Sequence, residues 1–272
     1  MTDPMTLSLA QMILGALSGV LVGFTLGLVG GGGSILAVPL MVYLVGVPQP
    51  VGVPQPHVAI GTAALAVAAN AAVGLTNHAR AGNVRWPCGL TFAGAGIVGA
   101  FAGSTLGKSF DGAKLLFLFA LLMVVIAVIM LRKRGQVGDP AVRISRENAP
   151  RLLGYGLGSG AFSGFFGIGG GFLIVPGIVA ATGMPMINAV GTSLVAVTAF
   201  GLTTAANYAW SGLVDWQLAG LFIAGGALGS WLGLKGAQRL SARTGRLNTL
   251  FALLVLVVAA YMLCHSAGAM FG

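Results

Sequence analysis

Residues 27–39 read Gly27-Leu28-Val29-Gly30-Gly31-Gly32-Gly33-Ser34-Ile35-Leu36-Ala37-Val38-Pro39, and a near-copy stands at 164–176: Gly164-Phe165-Phe166-Gly167-Ile168-Gly169-Gly170-Gly171-Phe172-Leu173-Ile174-Val175-Pro176. Each is a glycine cluster that runs into a proline inside an apolar stretch. Glycine loosens a helix, and proline removes an amide and crowds the preceding turn. Both helices are therefore expected to break at corresponding places. In a bilayer, freed backbone groups are tolerated only where protein or a watery cavity satisfies them. Paired interruptions in two halves of one chain point to a binding site at the interface between those halves.

The surroundings fit a membrane. Of 272 residues, 57% are hydrophobic and only 7% charged, and apolar runs of span length recur along the chain. Asp3, with no Lys or Arg before the first run, does not read as a cleaved leader, so the first run is expected to be a retained helix. The net charge is +9, but the basic residues sit in short loops between spans and form no nucleic-acid footprint. Cys88 and Cys264, each beside or within an apolar run, give neither a disulfide framework nor a metal site.

The repeat extends beyond the glycines. A shift of 130 carries Gly61-Thr62 onto Gly191-Thr192, Asn77 onto Asn207, Gly82 onto Gly212, Val84 onto Val214 and Trp86 onto Trp216. Between 27 and 61 the offset falls from 137 to 130, mostly because Val45-Gly-Val-Pro-Gln-Pro50 is repeated at once as residues 51–56. Loops absorb such insertions at little cost. Each half then holds five apolar segments: 7–29, 33–45, 57–77, 87–107 and 113–131, followed by 152–168, 171–182, 188–208, 214–234 and 247–265.

The expected fold is an all-α polytopic membrane protein. It is an inverted repeat of two five-segment halves, 1–131 and 151–272, joined by a basic cytoplasmic linker, 132–150. Arg132-Lys133-Arg134, Arg80 with Arg85, and Lys235 with Arg239, Arg243 and Arg246 then fall on the cytoplasmic side, and both termini outside. Lys108 and Lys114, with Asp111 between them, are the exception and land outside. The short second and seventh segments either cross or fold back as half-helices, giving eight to ten membrane segments with the same parity.

Glycine clusters at a helix start bare several amide groups at the positive end of the helix dipole, which suits a small anion. Gly31, Gly32, Gly33 and Ser34 in the first half, with Gly169, Gly170 and Gly171 in the second, are the candidate cradle. Ser34 stands where the second cluster has Gly171 and adds a hydroxyl. Thr62, Thr192, Ser193, Asn77 and Asn207 are further candidates, since neutral donors hold an oxyanion without charge; Thr203 adds a hydroxyl, and Asn70 and Thr204 rank below the paired residues. Interhelical bonding is the competing role for all of these. Gly94, Gly96 and Gly99 read as packing residues, and Trp86 and Trp216 as interfacial anchors. Asp3, Asp111, Asp139, Glu147 and Asp215 all lie outside span centres, so a carboxylate proton relay or a cation path is not expected. Ser34 and Ser163 lie near glycines and His57 and His78 are present, but no Gly-x-Ser-x-Gly elbow places a base beside a serine. An enzyme is not expected.

In its two glycine-to-proline stretches, its Gly-Thr pairs at 61 and 191, and its Asn…Gly-x-Val-x-Trp endings at 77–86 and 207–216, the chain resembles the TauE/SafE sulfite exporter family over essentially its whole length. That resemblance implies a bacterial inner-membrane transporter of small sulfur-containing anions such as sulfite, thiosulfate or organosulfonates, working by alternating access. A passive small-anion channel is the alternative. The implied partners are that anion and the lipid bilayer, with no nucleic acid, cofactor or metal; a homodimer is compatible with these features.

Overall fold

The computed structural model describes residues 7–47, 55–132, 148–167, 171–240, 253 and 255–265. Among these the structure is helical, without strands. Helix α1 covers Leu9–Val29. The next stretch, α2, is irregular: a 3-10 segment Gly30–Leu36, a single α-turn Ala37–Pro39 and a π segment Leu40–Val45. Then follow α3 (Gln55–Arg80), α4 (Trp86–Ser109), α5 (Gly112–Arg132), α6 (Ala149–Phe166), α7 (Gly171–Thr182), α8 (Met186–Trp210), α9 (Trp216–Leu240) and α10 (Val255–His265). These match the ten expected segments, with ends displaced by a few residues. α6 starts earlier than expected because Pro150 sits in its first turn, where a missing amide costs nothing. Residues 48–54 of the duplicated stretch 45–56, residues 133–147 of the linker 132–150, and the expected start of the tenth segment at 247–252 lie outside the described residues.

Helices α1, α3, α4 and α8 are long and apolar enough to cross a bilayer. On α1 the outward side chains are Leu9, Ile13, Leu17 and Leu21, each at least 41% exposed. Their four-residue spacing draws one apolar stripe along the helix, a surface that belongs against lipid rather than water. Trp86 and Trp216 are exposed at the equivalent starts of α4 and α9, at interfacial-anchor positions.

Glycines set the internal packing. A Cβ on Gly156, Gly160 or Gly164 of α6 would strike the main-chain carbonyls of Phe92, Gly96 and Ala100 on α4. Conversely, Gly99, Gly103 and Gly107 of α4 lie against the carbonyls of Leu157, Ala161 and Phe165. Numbers rise together on both helices, so they run parallel. The same device joins α1 to α9: Gly19 and Gly23 meet Phe222 and Gly226, while Gly225, Gly229 and Gly233 meet Ala16, Val20 and Phe24. With no water to expel between helices, such backbone approach supplies dispersion and Cα–H···O contacts that bulkier residues forbid. Gly96 and Gly99 thus pack as expected, whereas Gly94 faces open space.

Helices α3 and α8, equivalent by the repeat, run antiparallel: Gly61 lies by Tyr208, Gly201 by Ala64 and Ala68, and Gly74 by Leu194. Exchanging the halves turns the α1/α9 contact into the α6/α4 contact and maps α3/α8 onto itself.

Candidate functional site

The two short helices meet. The 3-10 segment Gly30–Leu36 packs against α7, and also against α1, α3 and α8. Gly31, Gly32 and Gly33 lie within it. Gly33 is pressed flat on the end of α1, where a Cβ would run into the amide of Leu26 and the body of Thr25; the Thr25 hydroxyl lies 3.3 Å from the Gly33 carbonyl. Ser34 is wholly buried. Gly171 opens α7, while Gly169 and Gly170 lie outside the described residues. In the first half the break is spread over a stretch wound in three ways, with Pro39 buried in its middle. In the second half it is an interruption between α6, which ends against Ile60 at Gly167, and α7.

The Gly-Thr pairs join the two halves. The turn closing α3 onto α4 carries Gly82 at φ +72°, and its counterpart between α8 and α9 carries Gly212 at φ +70°. This left-handed conformation is strained for any residue with a Cβ. Each turn docks on the other half. The amide of Asp215 donates to Thr62 Oγ1 at 2.9 Å, and the amide of Arg85 donates to Thr192 Oγ1 at 2.9 Å. The glycines beside these threonines give clearance: Gly61 lies under the Leu213 carbonyl and Gly191 under that of Asn83. The Gly-Thr and Gly-x-Val-x-Trp motifs, 130 residues apart, are therefore two parts of one reciprocal clamp. It fixes the first turns of α4 and α9, where orphan amides need an acceptor. Thr62→Val or Thr192→Val is expected to lower stability by about 1–3 kcal/mol, the penalty for a buried unsatisfied amide, with Thr→Ser tolerated; thermal unfolding in detergent reads both.

The remaining candidates separate. Ser193 is buried and its hydroxyl donates to the Val190 carbonyl at 2.7 Å. Asn77 is half-buried near the end of α3. Asn207 belongs to a network that sequence reasoning missed. Its Nδ2 donates to Ser104 Oγ at 2.6 Å and Thr105 Oγ1 at 2.9 Å, while its Oδ1 accepts from Lys108 Nζ at 2.7 Å. The available signal was Lys108 itself, which with Lys114 breaks the charge rule.

Asn70, a lower-ranked candidate by sequence, is anomalous in the interior. It is 0% exposed, and neither its Oδ1 nor its Nδ2 has a partner. It packs on Gly226 of α9. Its counterpart 130 residues on is Phe200, which packs on Gly96 of α4 and stacks with Phe92, ring centroids 6.2 Å apart. An amide thus occupies in one half the place of an aromatic ring in the other. Leaving both amide atoms unsatisfied costs on the order of 1–3 kcal/mol per group. Asn70→Leu is therefore expected to raise the melting temperature, and a fall would mean that the amide has a partner in the native protein.

Ser163 Oγ is buried without a hydrogen-bond partner, and His57 directs Nε2 at the carbonyls of Gly107 and Phe110.

Known sequences agree with this architecture. The sequence model of the family described as Sulfite exporter TauE/SafE matches residues 15–262. A Xylella fastidiosa protein described as a probable membrane transporter protein is 48% identical over 96% of the chain and 98% of its own length. The Bacillus subtilis probable membrane transporter protein YdhB is 29% identical, over 79% of the chain and 86% of its own length. No solved structure matches the chain significantly.

Proposed function

The chain belongs to the TauE/SafE sulfite exporter family, and from that premise we propose that this multi-pass membrane transporter carries small sulfur-containing anions, such as sulfite, thiosulfate or an organosulfonate, across a bacterial inner membrane. The observation that carries the proposal is the contact between the two glycine-led short helices, the 3-10 segment Gly30–Leu36 and α7. Gly31, Gly32, Gly33, Ser34, Gly169, Gly170 and Gly171 form the cradle, in which main-chain amides and helix dipoles hold the negative charge. Thr62, Thr192 and Ser193 brace it, the first two through the clamp. Neutral donors suit an anion that must also leave, because a fixed countercharge would hold it too long.

Alternating access between two inverted halves is supported by the antiparallel run of α3 against α8 and by the reciprocal pairing of α1 with α9 and α4 with α6. Each glycine-packed pair mixes one helix from either half. The pairs act as stiff units that rock about α3 and α8. The orientation follows the basic loops, with the termini outside and the 132–150 linker inside.

Flux of labelled sulfite in proteoliposomes tests the proposal. Saturable flux with counterflow is the expected result. Absence of flux for every sulfur oxyanion, from protein that elutes as a single folded species, sinks it. Flux that never saturates and shows no counterflow identifies the passive channel instead.

A further inference from the structure

The two clamps give each of two helix pairs a tied end and a far end. α9 is tied to α3 where the Asp215 amide meets Thr62, and α4 is tied to α8 where the Arg85 amide meets Thr192. From each tie the two helices run parallel: Asn70 lies against Gly226 of α9, and Phe200 against Gly96 of α4. Asn70 and Phe200 both stand eight residues beyond their threonines, about 12 Å along the helix at 1.5 Å per residue. The two seams share one plan and differ in what fills them.

The α8/α4 seam is sealed and then latched. Phe200 is wholly buried and stacks with Phe92. Beyond it, Asn207 of α8 donates to Ser104 Oγ at 2.6 Å and Thr105 Oγ1 at 2.9 Å on α4. The Lys108 ammonium of α4 donates back to Asn207 Oδ1 at 2.7 Å, to Ser211 Oγ at 2.9 Å and to the Asn207 carbonyl at 3.1 Å. Lys108 thus directs its N–H groups across the seam, which gives a task to a cation that the charge rule does not place there. Thr204 and Tyr208 of α8 each bury an unpaired hydroxyl, but water reaches them only after the latch breaks.

The α3/α9 seam carries the opposite content. Asn70 lies in it with neither amide atom paired. Ser230, one turn past Gly226 on the same face of α9, is 1% exposed and its hydroxyl is also unpaired. Among the described residues, no side-chain bond joins α3 to α9 beyond the tie at Thr62.

We infer that the two seams are unequal gates: the α3/α9 seam, primed by the dry amide of Asn70, opens readily at its far end, while the α8/α4 seam stays shut until the Asn207–Lys108 latch breaks. Opening the first seam hydrates Asn70 and Ser230, which offsets the lost helix contact. Opening the second exposes an aromatic ring and breaks charge-assisted bonds. The far end of the α3/α9 seam is that of Arg80 and Lys235. With the orientation proposed above it is the cytoplasmic end, from which an exporter must load. The inference rests on the alternating-access reading and deepens it by assigning the gate that yields first.

The test labels cysteines in the full chain in proteoliposomes, with a membrane-impermeant maleimide as probe and Cys88→Ser and Cys264→Ser removing the native thiols. Ser230→Cys reports on the α3/α9 seam, and Ala100→Cys, its counterpart 130 residues earlier, on the α8/α4 seam; both positions are buried. Ser230→Cys is expected to react at least about tenfold faster than Ala100→Cys, with the probe on the Arg80 side. Asn70→Leu is expected to slow labelling of Ser230→Cys about tenfold, the scale of one unsatisfied polar group, and to lower maximal flux with KM nearly unchanged. Asn207→Ala is expected to speed labelling of Ala100→Cys by a similar factor.

Equal rates at the two reporters overturn the inference, as does labelling of Ser230→Cys from the opposite side. Labelling of Ser230→Cys that Asn70→Leu leaves unchanged, or of Ala100→Cys that Asn207→Ala leaves unchanged, overturns it too. The comparison of the two reporters needs neither substitution, so it decides even where those variants do not fold. Unequal reporters with no flux of any sulfur oxyanion keep the gates and sink the transport reading, whereas saturable flux with equal reporters sinks the gates alone.

Discussion

Gly160→Val is expected to leave almost no folded protein. The Cβ of any residue at 160 falls on the main chain of Gly96, and the neighbouring contacts at Gly156 and Gly164 are of the same kind. A flexible side chain in that place would swing aside, but a helix backbone cannot. The pair must separate along its length and give up the close approach at each rung. Overpacking of ordinary cores costs about 1–3 kcal/mol, and here the obstacle is rigid on both sides, so the loss should reach or exceed the top of that range. Gly23→Val, facing Gly226 on α1/α9, should behave alike. The control is Gly158→Val, two residues from Gly160 on the same helix, where a Cβ meets nothing within 4 Å. It carries the same helix-propensity change without the clash. Yield of monodisperse protein and the unfolding midpoint are the measurements. A Gly160 variant as stable as the Gly158 variant would show that α4 and α6 are not in backbone contact.

That contrast marks what the sequence can and cannot disclose. The ten helices among the described residues are legible because a bilayer demands long apolar runs and basic residues punctuate them. α7 falls on 171–182 as expected, and the ends of the others move where a proline or a turn glycine decides the boundary. Gly94 and Gly96 look alike in the chain, but only Gly96 meets a neighbour, and which neighbour it meets depends on a helix 60 residues away. The repeat identified Gly61-Thr62 and Gly191-Thr192 as special without giving their task, since each is completed by a turn in the opposite half. Two departures from a pattern are legible in the chain: Asn70 where its counterpart is Phe200, and Lys108 with Lys114 outside the loops that carry the other basic residues beside the spans. A lone exception to a symmetry carries more functional information than the positions that obey it, because shared scaffolding already explains the latter.

Gly32→Val is expected to abolish transport while sparing the fold. Position 32 lies in the 3-10 segment that touches α7, where the proposed cradle depends on bare main-chain amides. A branched side chain there keeps the anion from the amides and disfavours the local winding. Losing two neutral hydrogen bonds to a charged ligand, at about 1.5–3 kcal/mol each, lowers flux by at least about a hundredfold. Gly33→Val serves as the opposite reference, because a Cβ at 33 strikes the amide of Leu26 and the Thr25 backbone. It should damage the fold first and transport only in consequence. Gly169→Val, from the second cluster, should repeat the effect of Gly32→Val if both half-sites contribute. The comparison is therefore a ratio, flux per folded molecule, with the melting temperature supplying the denominator. If Gly32→Val and Gly169→Val both transport at near wild-type rates, the clusters serve packing alone, and the anion must be held elsewhere along α3 and α8.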